Sequence, residues 1–199
     1  MELIQPSVKI ESMTLDALKL IEVAGRTCYK SEDKITDDSA VTFAEKILKL
    51  GHHSVLEHAV ATVRFICDRG VTHEIVRHRL ASYSQESTRY CNYGKIGVRF
   101  MIPSDFELNP DDMYFLQLVE EQYNYCLSIG RTPQQARYFL PNGLKTEIVM
   151  TANFREWRHF FKLRTSSAAH PDMRLVAGMA YEQFKERIKI IFDDLGGEK

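Results

Sequence analysis

Between Arg77 and Tyr90 the chain runs Arg-His-Arg-Leu-Ala-Ser-Tyr-Ser-Gln-Glu-Ser-Thr-Arg-Tyr. Three cationic or protonatable side chains stand together at the end of an apolar run, and a hydroxyl- and amide-rich loop then closes on another arginine. Guanidinium groups present a rigid fork of donors matched to phosphate and carboxylate oxygens. Ser, Gln and Thr add neutral hydrogen bonds that orient a ligand without adding charge. Such a stretch can hold a phosphorylated ligand; a basic, polar surface loop is the plainer reading of the same residue types.

Two other segments carry candidate chemistry. In Asn153-Phe154-Arg155-Glu156 an asparagine caps a helix on which Arg155, His159 and Lys162 fall at i, i+4 and i+7, a face that either binds an anion or is simply solvated. In Gly51-His52-His53-Ser54-Val55-Leu56-Glu57-His58, Ser54 and Glu57 read as a capping box opening a short helical turn. Three histidines and a glutamate here invite a metal reading, but they lack the two-histidine i, i+4 spacing of a zinc helix. His73-Glu74-x-x-Arg77 comes closer and fails at its last position, because arginine is no metal ligand. No metal is expected.

The order of these residues says more than their types. Arg77-His78-Arg79, seven intervening residues, then Ser87 and Arg89 resembles the signature of the flavin-dependent thymidylate synthases. Gly51-His52 resembles the family's Gly-His turn, and Asn153-x-Arg155 with His159 and Leu163-Arg164 resembles its second motif. The resemblance implies reductive methylation of dUMP to dTMP, with methylenetetrahydrofolate as carbon donor, NADPH as reductant and FAD as cofactor. It places Arg77, His78, Arg79, His52, Ser54, Gln85, Asn153, Arg155 and His159 at FAD, with His52 near the ring where folate stacks. Glu74, Arg77, Gln85, Glu86, Ser87, Thr88, Arg89 and Arg137 are placed at dUMP.

Arg164 is implied as the catalytic cation, set against the uracil, where it would stabilise charge developing on the ring. Arg137, a surface arginine by sequence alone, enters only through its distance from the later Asn-x-Arg. Ser87 has no base at a spacing that would activate it and is expected as a hydroxyl donor, not a nucleophile. Some family members carry Gln in place of Glu74 and Asn in place of His159, so contacts there are expected to differ in charge. Ala168-Ala169-His170-Pro171 also departs from the stretch seen in some relatives. The resemblance further implies a homotetramer whose active sites are shared between subunits.

Composition fits this frame. At 199 residues, 44% hydrophobic and 27% charged, the chain has the proportions of a globular protein with a real core. It has neither an apolar run near 18 residues nor a leader-like start, so no membrane span is expected and a cytoplasmic location is the default. Cys28, Cys67, Cys91 and Cys126 form no CxxC pair and are expected as reduced thiols in or near the core. The formal charge of −1 hides basic islands at residues 64–99 and 152–174 in an otherwise acidic chain. That pattern suits compact anionic ligands, and no nucleic-acid partner is expected. A nucleotide-binding module without catalysis is the competing class. A relative that hydroxymethylates, or only oxidises NADPH, is a further enzyme alternative.

The elements that must position these residues follow from periodicity. Strands are expected at 8–13, 59–68, 98–102 and 144–152. Helices are expected from Thr14 or Leu15 to Tyr29, at 38–50, 71–79, from an Asn109 cap to Gly130, from Thr132 to a stop at Pro141, from Asn153 to Thr165, and from Pro171 to Leu195. Separated strands and helices, without regular alternation, point to an α+β fold of mixed helices and antiparallel-rich sheet in a single domain spanning 1–199. No GxGxxG follows a strand, so FAD, if bound, sits outside any Rossmann unit.

Overall fold

A computed structural model describes residues 1–195; the last four residues of the 1–199 span lie outside the described residues. Alternating side chains build its main sheet. Strands β2 (Ser7–Met13), β3 (Val60–Asp68) and β6 (Lys145–Asn153) are joined by β4 (Ala81–Gln85) in the order β2-β3-β6-β4, every pair antiparallel. Ala61, Val63, Phe65 and Cys67 of β3 face one side, and Thr146, Ile148, Met150 and Ala152 of β6 meet them there, all buried. A second, parallel pair is formed by β1 (Glu2–Ile4) and β5 (Arg99–Met101).

Helices α7 (Phe154–Arg164) and α8 (Pro171–Phe192) close the apolar face. Trp157, Phe160, Phe161, Phe184 and Phe192 interlock there with mostly tilted or edge-to-face rings, the arrangement that aromatic quadrupoles favour. Trp157 Nε1 donates to the Ala61 carbonyl at 3.1 Å, tying α7 to β3. Helices α1 (Ala17–Thr27) and α2 (Ser39–Lys49) pack on each other beside them, and α2 ends at Gly51, whose φ of 71° is the left-handed closure expected there. Helix α5 (Pro110–Ser128) has the capping box of Asn109 and Asp112 and covers a smaller apolar cluster with Tyr93, Phe100 and Leu144.

The fold is α+β and antiparallel-rich, as periodicity indicated, but several local expectations fail. The stretch expected to be a loop after Arg79 contains β4, a polar edge strand held by its pairing with β6. The helix expected at 71–79 is α3 (Arg69–Ile75), started by the Asp68 carboxylate accepting from Val71 N at 2.7 Å; Arg77, His78 and Arg79 lie beyond its end. Asp16 sits at φ 47°, so α1 begins at Ala17 and Leu15 is left in solvent. Val41 is exposed too, because Ala40, Ala44 and Ile47 form the buried stripe of α2. Leu175, Met179 and Ile188 of α8 are only half-buried, with Met173, Ala177 and Ala180 taking the core positions.

Ser54 caps nothing: residues 53–58 form a 3₁₀ helix with no side-chain cap, and Glu57 pairs with Arg155 instead. Cys67 and Cys126 are buried and Cys91 half-buried, while Cys28 is exposed; burial pushes the Cys67 thiol well above the ordinary range.

Candidate active site

One hydrogen-bonded cluster joins α3, the turn after it and α7. Asn153 Oδ1 accepts from Glu156 N at 2.9 Å, capping α7 and setting the phase of its inward face. Glu156 is thereby buried and its Oε1 lies 3.0 Å from Nδ1 of the buried His78. On the ring's other side Arg164 Nε donates to His78 Nε2 at 3.1 Å. The same guanidinium grips Glu74, through Nη1 to Oε2 at 2.7 Å and Nη2 to the main-chain carbonyl at 3.2 Å. Tyr83 Oη donates to the carbonyls of Ile75 and His78, holding the turn, and burial pushes this phenol up to about 12.

Three of the five guanidinium donors of Arg164 are spent in this network, leaving two for a ligand. Because Arg164 can only donate, His78 Nε2 must accept, and the ring proton sits on Nδ1 facing Glu156. Burial holds the imidazolium below its ordinary value; the Glu156 hydrogen bond opposes this and the Arg164 charge adds to it. The ligand atoms of His78, Glu156 and His159 lie within 4.8 Å of one another, which raises a metal reading that sequence spacing had not. Both His78 nitrogens are already bonded, and a cation there would face the Arg164 charge.

A second cluster fixes the polar loop. Lys145, 8% exposed, pairs with Glu86 at 2.8 Å and also with Glu147, while Tyr93 Oη donates to Glu86 Oε1 at 2.8 Å. Both oxygens of Glu86 are thus engaged within the fold. Gln85 Nε2 is likewise held by Thr72 and Thr146, leaving its carbonyl oxygen. Around Ser87 the chain turns, with Cys91 N donating back to the Ser87 carbonyl at 2.9 Å. Arg137 Nη1 donates to the buried Thr88 at 3.1 Å, and Arg89 Nε to Gln134 at 2.9 Å. Each arginine keeps outward donors, so the structure brings Ser87, Thr88, Arg89 and Arg137 into one basic neighbourhood.

The third group lies along two clefts. One, of about 410 Å³, is lined by Gly51, His52, Ser54 and Arg155; another, of about 750 Å³ between α7 and α8, is lined by Arg155, His159, Lys162 and Arg174. Arg155, His159 and Lys162 therefore do form a common face over an open cleft. Arg158 is there as well, but its guanidinium is consumed by a bidentate pair with Asp194, 2.6 Å on each arm. Arg77 and Arg79 stand exposed, and neither is in an ion pair among the described residues. A flavin dinucleotide fits these donors by their chemistry: two exposed arginines on either side of His78 suit a pyrophosphate, and the cleft hydroxyl and imidazoles suit its sugar and ring.

A family model described as thymidylate synthase complementing protein matches residues 9–188. A flavin-dependent thymidylate synthase of Corynebacterium efficiens is 36% identical over 196 residues, covering 88% of this chain and 78% of that protein. The chain belongs to the flavin-dependent thymidylate synthase family. Another family member, from Pyrococcus furiosus, is 35% identical over 185 residues, covering 89% of this chain and 75% of its own length. Among solved structures, thymidylate synthase X from Helicobacter pylori with FAD and dUMP matches with a TM-score of 0.84 at 22% identity, covering 97% of this chain and all of that one. The UMP/dUMP methylase PolB from Streptomyces cacaoi, bound with 5-Br dUMP, matches at 0.80 and 22%, covering 97% and 96%. At such identities these likenesses establish the shared fold of the thymidylate synthase family.

Sequence reasoning missed Glu156, Tyr83, Lys145 and Tyr93. Glu156 and Lys145 are brought in from a distant segment, whereas Tyr83 and Tyr93 lie within or just past the signature and bond residues five to eight positions away. Only Glu156 left a local signal, as the third residue after a helix-capping asparagine.

Proposed function

We propose that this chain catalyses the reductive methylation of dUMP to dTMP, using methylenetetrahydrofolate, NADPH and bound FAD. The observation that carries the reading is the Glu74–Arg164–His78–Glu156 network in a chain of this family: an oriented guanidinium with two donors left over. Facing the uracil, those donors would stabilise charge developing on the ring oxygen and N3 as C5 becomes nucleophilic. His78 is a positioning residue, kept neutral so that Arg164 has an acceptor at Nε. Ser87, Thr88, Arg89 and Arg137 hold the dUMP phosphate and sugar, with Gln85 adding its carbonyl oxygen and Glu86 holding the loop. Arg77, Arg79, His52, Ser54, Asn153, Arg155 and His159 bind FAD. When bound, FAD supplies the hydride acceptance and carbon-transfer chemistry.

The chain works as one domain, and as a homotetramer with shared sites. The dispersal of Arg77, Arg79 and Arg89 over exposed surface supports that assembly, as do the exposed apolar Tyr114, Phe115, Leu118 and Tyr125 of α5. No helix among the described residues is long and apolar enough to cross a membrane; cytoplasmic residence and the absence of a nucleic-acid partner belong to the same proposal.

The test is spectroscopic. Purified protein loaded with FAD and desalted should stay yellow, bleach with NADPH under anaerobic conditions, respond to dUMP, and form dTMP when folate is added. A colourless protein that binds dUMP without turnover would replace this reading with a nucleotide-binding module.

A further inference from the structure

A groove of about 620 Å³ runs between α1 and α2, outside every residue assigned above except His52. Its floor is the Phe43 ring. Gly25 makes that floor possible, since a Cβ there would collide with the ring. Arg26 lies over the same ring, 5.1 Å from its centroid, and is tied to Glu22, which is 1% exposed and also accepts from Ser39. The arginine and the acid therefore cancel within the wall. Two cations are left: Lys34, in the turn after α1, and Lys46, on α2, both exposed and both lining the groove. The lysine ion pairs among the described residues are those of Lys9, Lys145, Lys185 and Lys189, so neither groove lysine has a carboxylate partner.

The groove shares Gly25, Tyr29 and His52 with the 410 Å³ cleft of Ser54 and Arg155, so the two open into one another at the proposed flavin site. An occupant that starts at His52 and runs along the groove meets the aromatic side chains of Tyr29 and Phe43 and two ammonium groups, Lys34 and Lys46. That sequence of environments matches an aromatic ring followed by spaced carboxylates. It matches a phosphate poorly, because the one arginine present is spent on Glu22.

We propose that the α1–α2 groove is the subsite for the p-aminobenzoyl-glutamate tail of the folate co-substrate, with Lys34 and Lys46 taking successive glutamate carboxylates. The proposal rests on the activity given above and adds to it where the tail lies and that added glutamates are recognised.

The test compares holoenzyme with Lys34→Glu/Lys46→Glu, using methylenetetrahydrofolate carrying one or three glutamates. Both side chains are on the surface, so the variant should fold; unchanged flavin retention and NADPH bleaching check this. Wild type should prefer the triglutamate. In the variant, KM for the triglutamate should rise about tenfold, the scale of losing two exposed charge contacts and gaining repulsion, with KM for dUMP and NADPH unmoved. Calorimetry with p-aminobenzoyl-triglutamate should show the same loss of binding, and Lys34→Arg/Lys46→Arg should retain it. Equal folate KM values in variant and wild type would overturn the proposal, and a rise confined to NADPH would assign the groove to the dinucleotide. If wild-type protein neither holds FAD nor turns over dUMP, the fault lies in the proposed activity and not in the groove.

Discussion

Arg164 Nε donates to His78 Nε2 across 3.1 Å, and this single contact decides the tautomer of a buried histidine. Protonating His78 would set two donors against each other and release Arg164 from its place. The folded state holds this imidazolium below 6.5, chiefly by burial. Its neutral form therefore contributes stability that is complete above about pH 6.5 and is lost as pH falls below that value toward the lowered one. Urea midpoints should decline from pH 7.5 to 5.5 more steeply in wild type than in His78→Gln. Equal slopes would disprove the assignment.

Arg164→Ala should fold, retain FAD and lose roughly 100- to 1000-fold in turnover, the usual scale for removing a preorganised charge-stabilising donor. Arg164→Lys should recover little, since a point charge cannot serve His78, Glu74 and a ligand at once. Single-turnover dTMP formation with a bleaching control gives the answer; turnover near wild type would remove Arg164 from the chemistry.

Lys145→Met should leave Glu86 and Glu147 without their shared ammonium. A loss of about 1–3 kcal/mol is expected for such a stranded, partly buried acid. Because Glu86 anchors the 86–89 loop, KM for dUMP should rise while flavin retention stays constant. Denaturant melts alongside dUMP titrations separate the two effects, and an unmoved KM would show that the loop does not depend on this anchor.

Trp157→Ala should cost about 3–5 kcal/mol, from the cavity left among the rings of Phe65, Phe160, Phe161 and Phe184 and the lost bond to Ala61. Loss of soluble expression would fit; a melting temperature within a few degrees of wild type would not.

The strands β3 and β6 were legible in the sequence because each alternates cleanly, and the Asn109 cap and Thr132 capping box because their signals are local. Edges and partners were not. β4 is small and polar, Ala-Ser-Tyr-Ser-Gln, and becomes a strand through its register with Ala152, Met150 and Ile148. Ser54 carries a capping pattern that Glu57 abandons for Arg155. The residue types of the site were readable, since arginines and hydroxyls at fixed spacing advertise anion binding. What they are wired to was not, because Glu74 and Arg164, or Glu86 and Lys145, meet only through the sheet.

The antiparallel pairing of β3 with β6 also bears on when the site can exist. Arg164 meets its partners 86 and 90 positions back along the chain. A nascent chain that has emerged only as far as β4 holds the entire Arg-His-Arg segment yet neither Glu156 nor Arg164, and β3 has no neighbour on that side. Such long-range closure slows folding, since most of the loop entropy is lost before the contacts form. The anion-binding arginines thus spend their early life on an unfinished surface. A fragment ending before Lys145 should be insoluble and blind to nucleotide, and supplying residues 145–199 in trans should restore both sheet and ligand binding together.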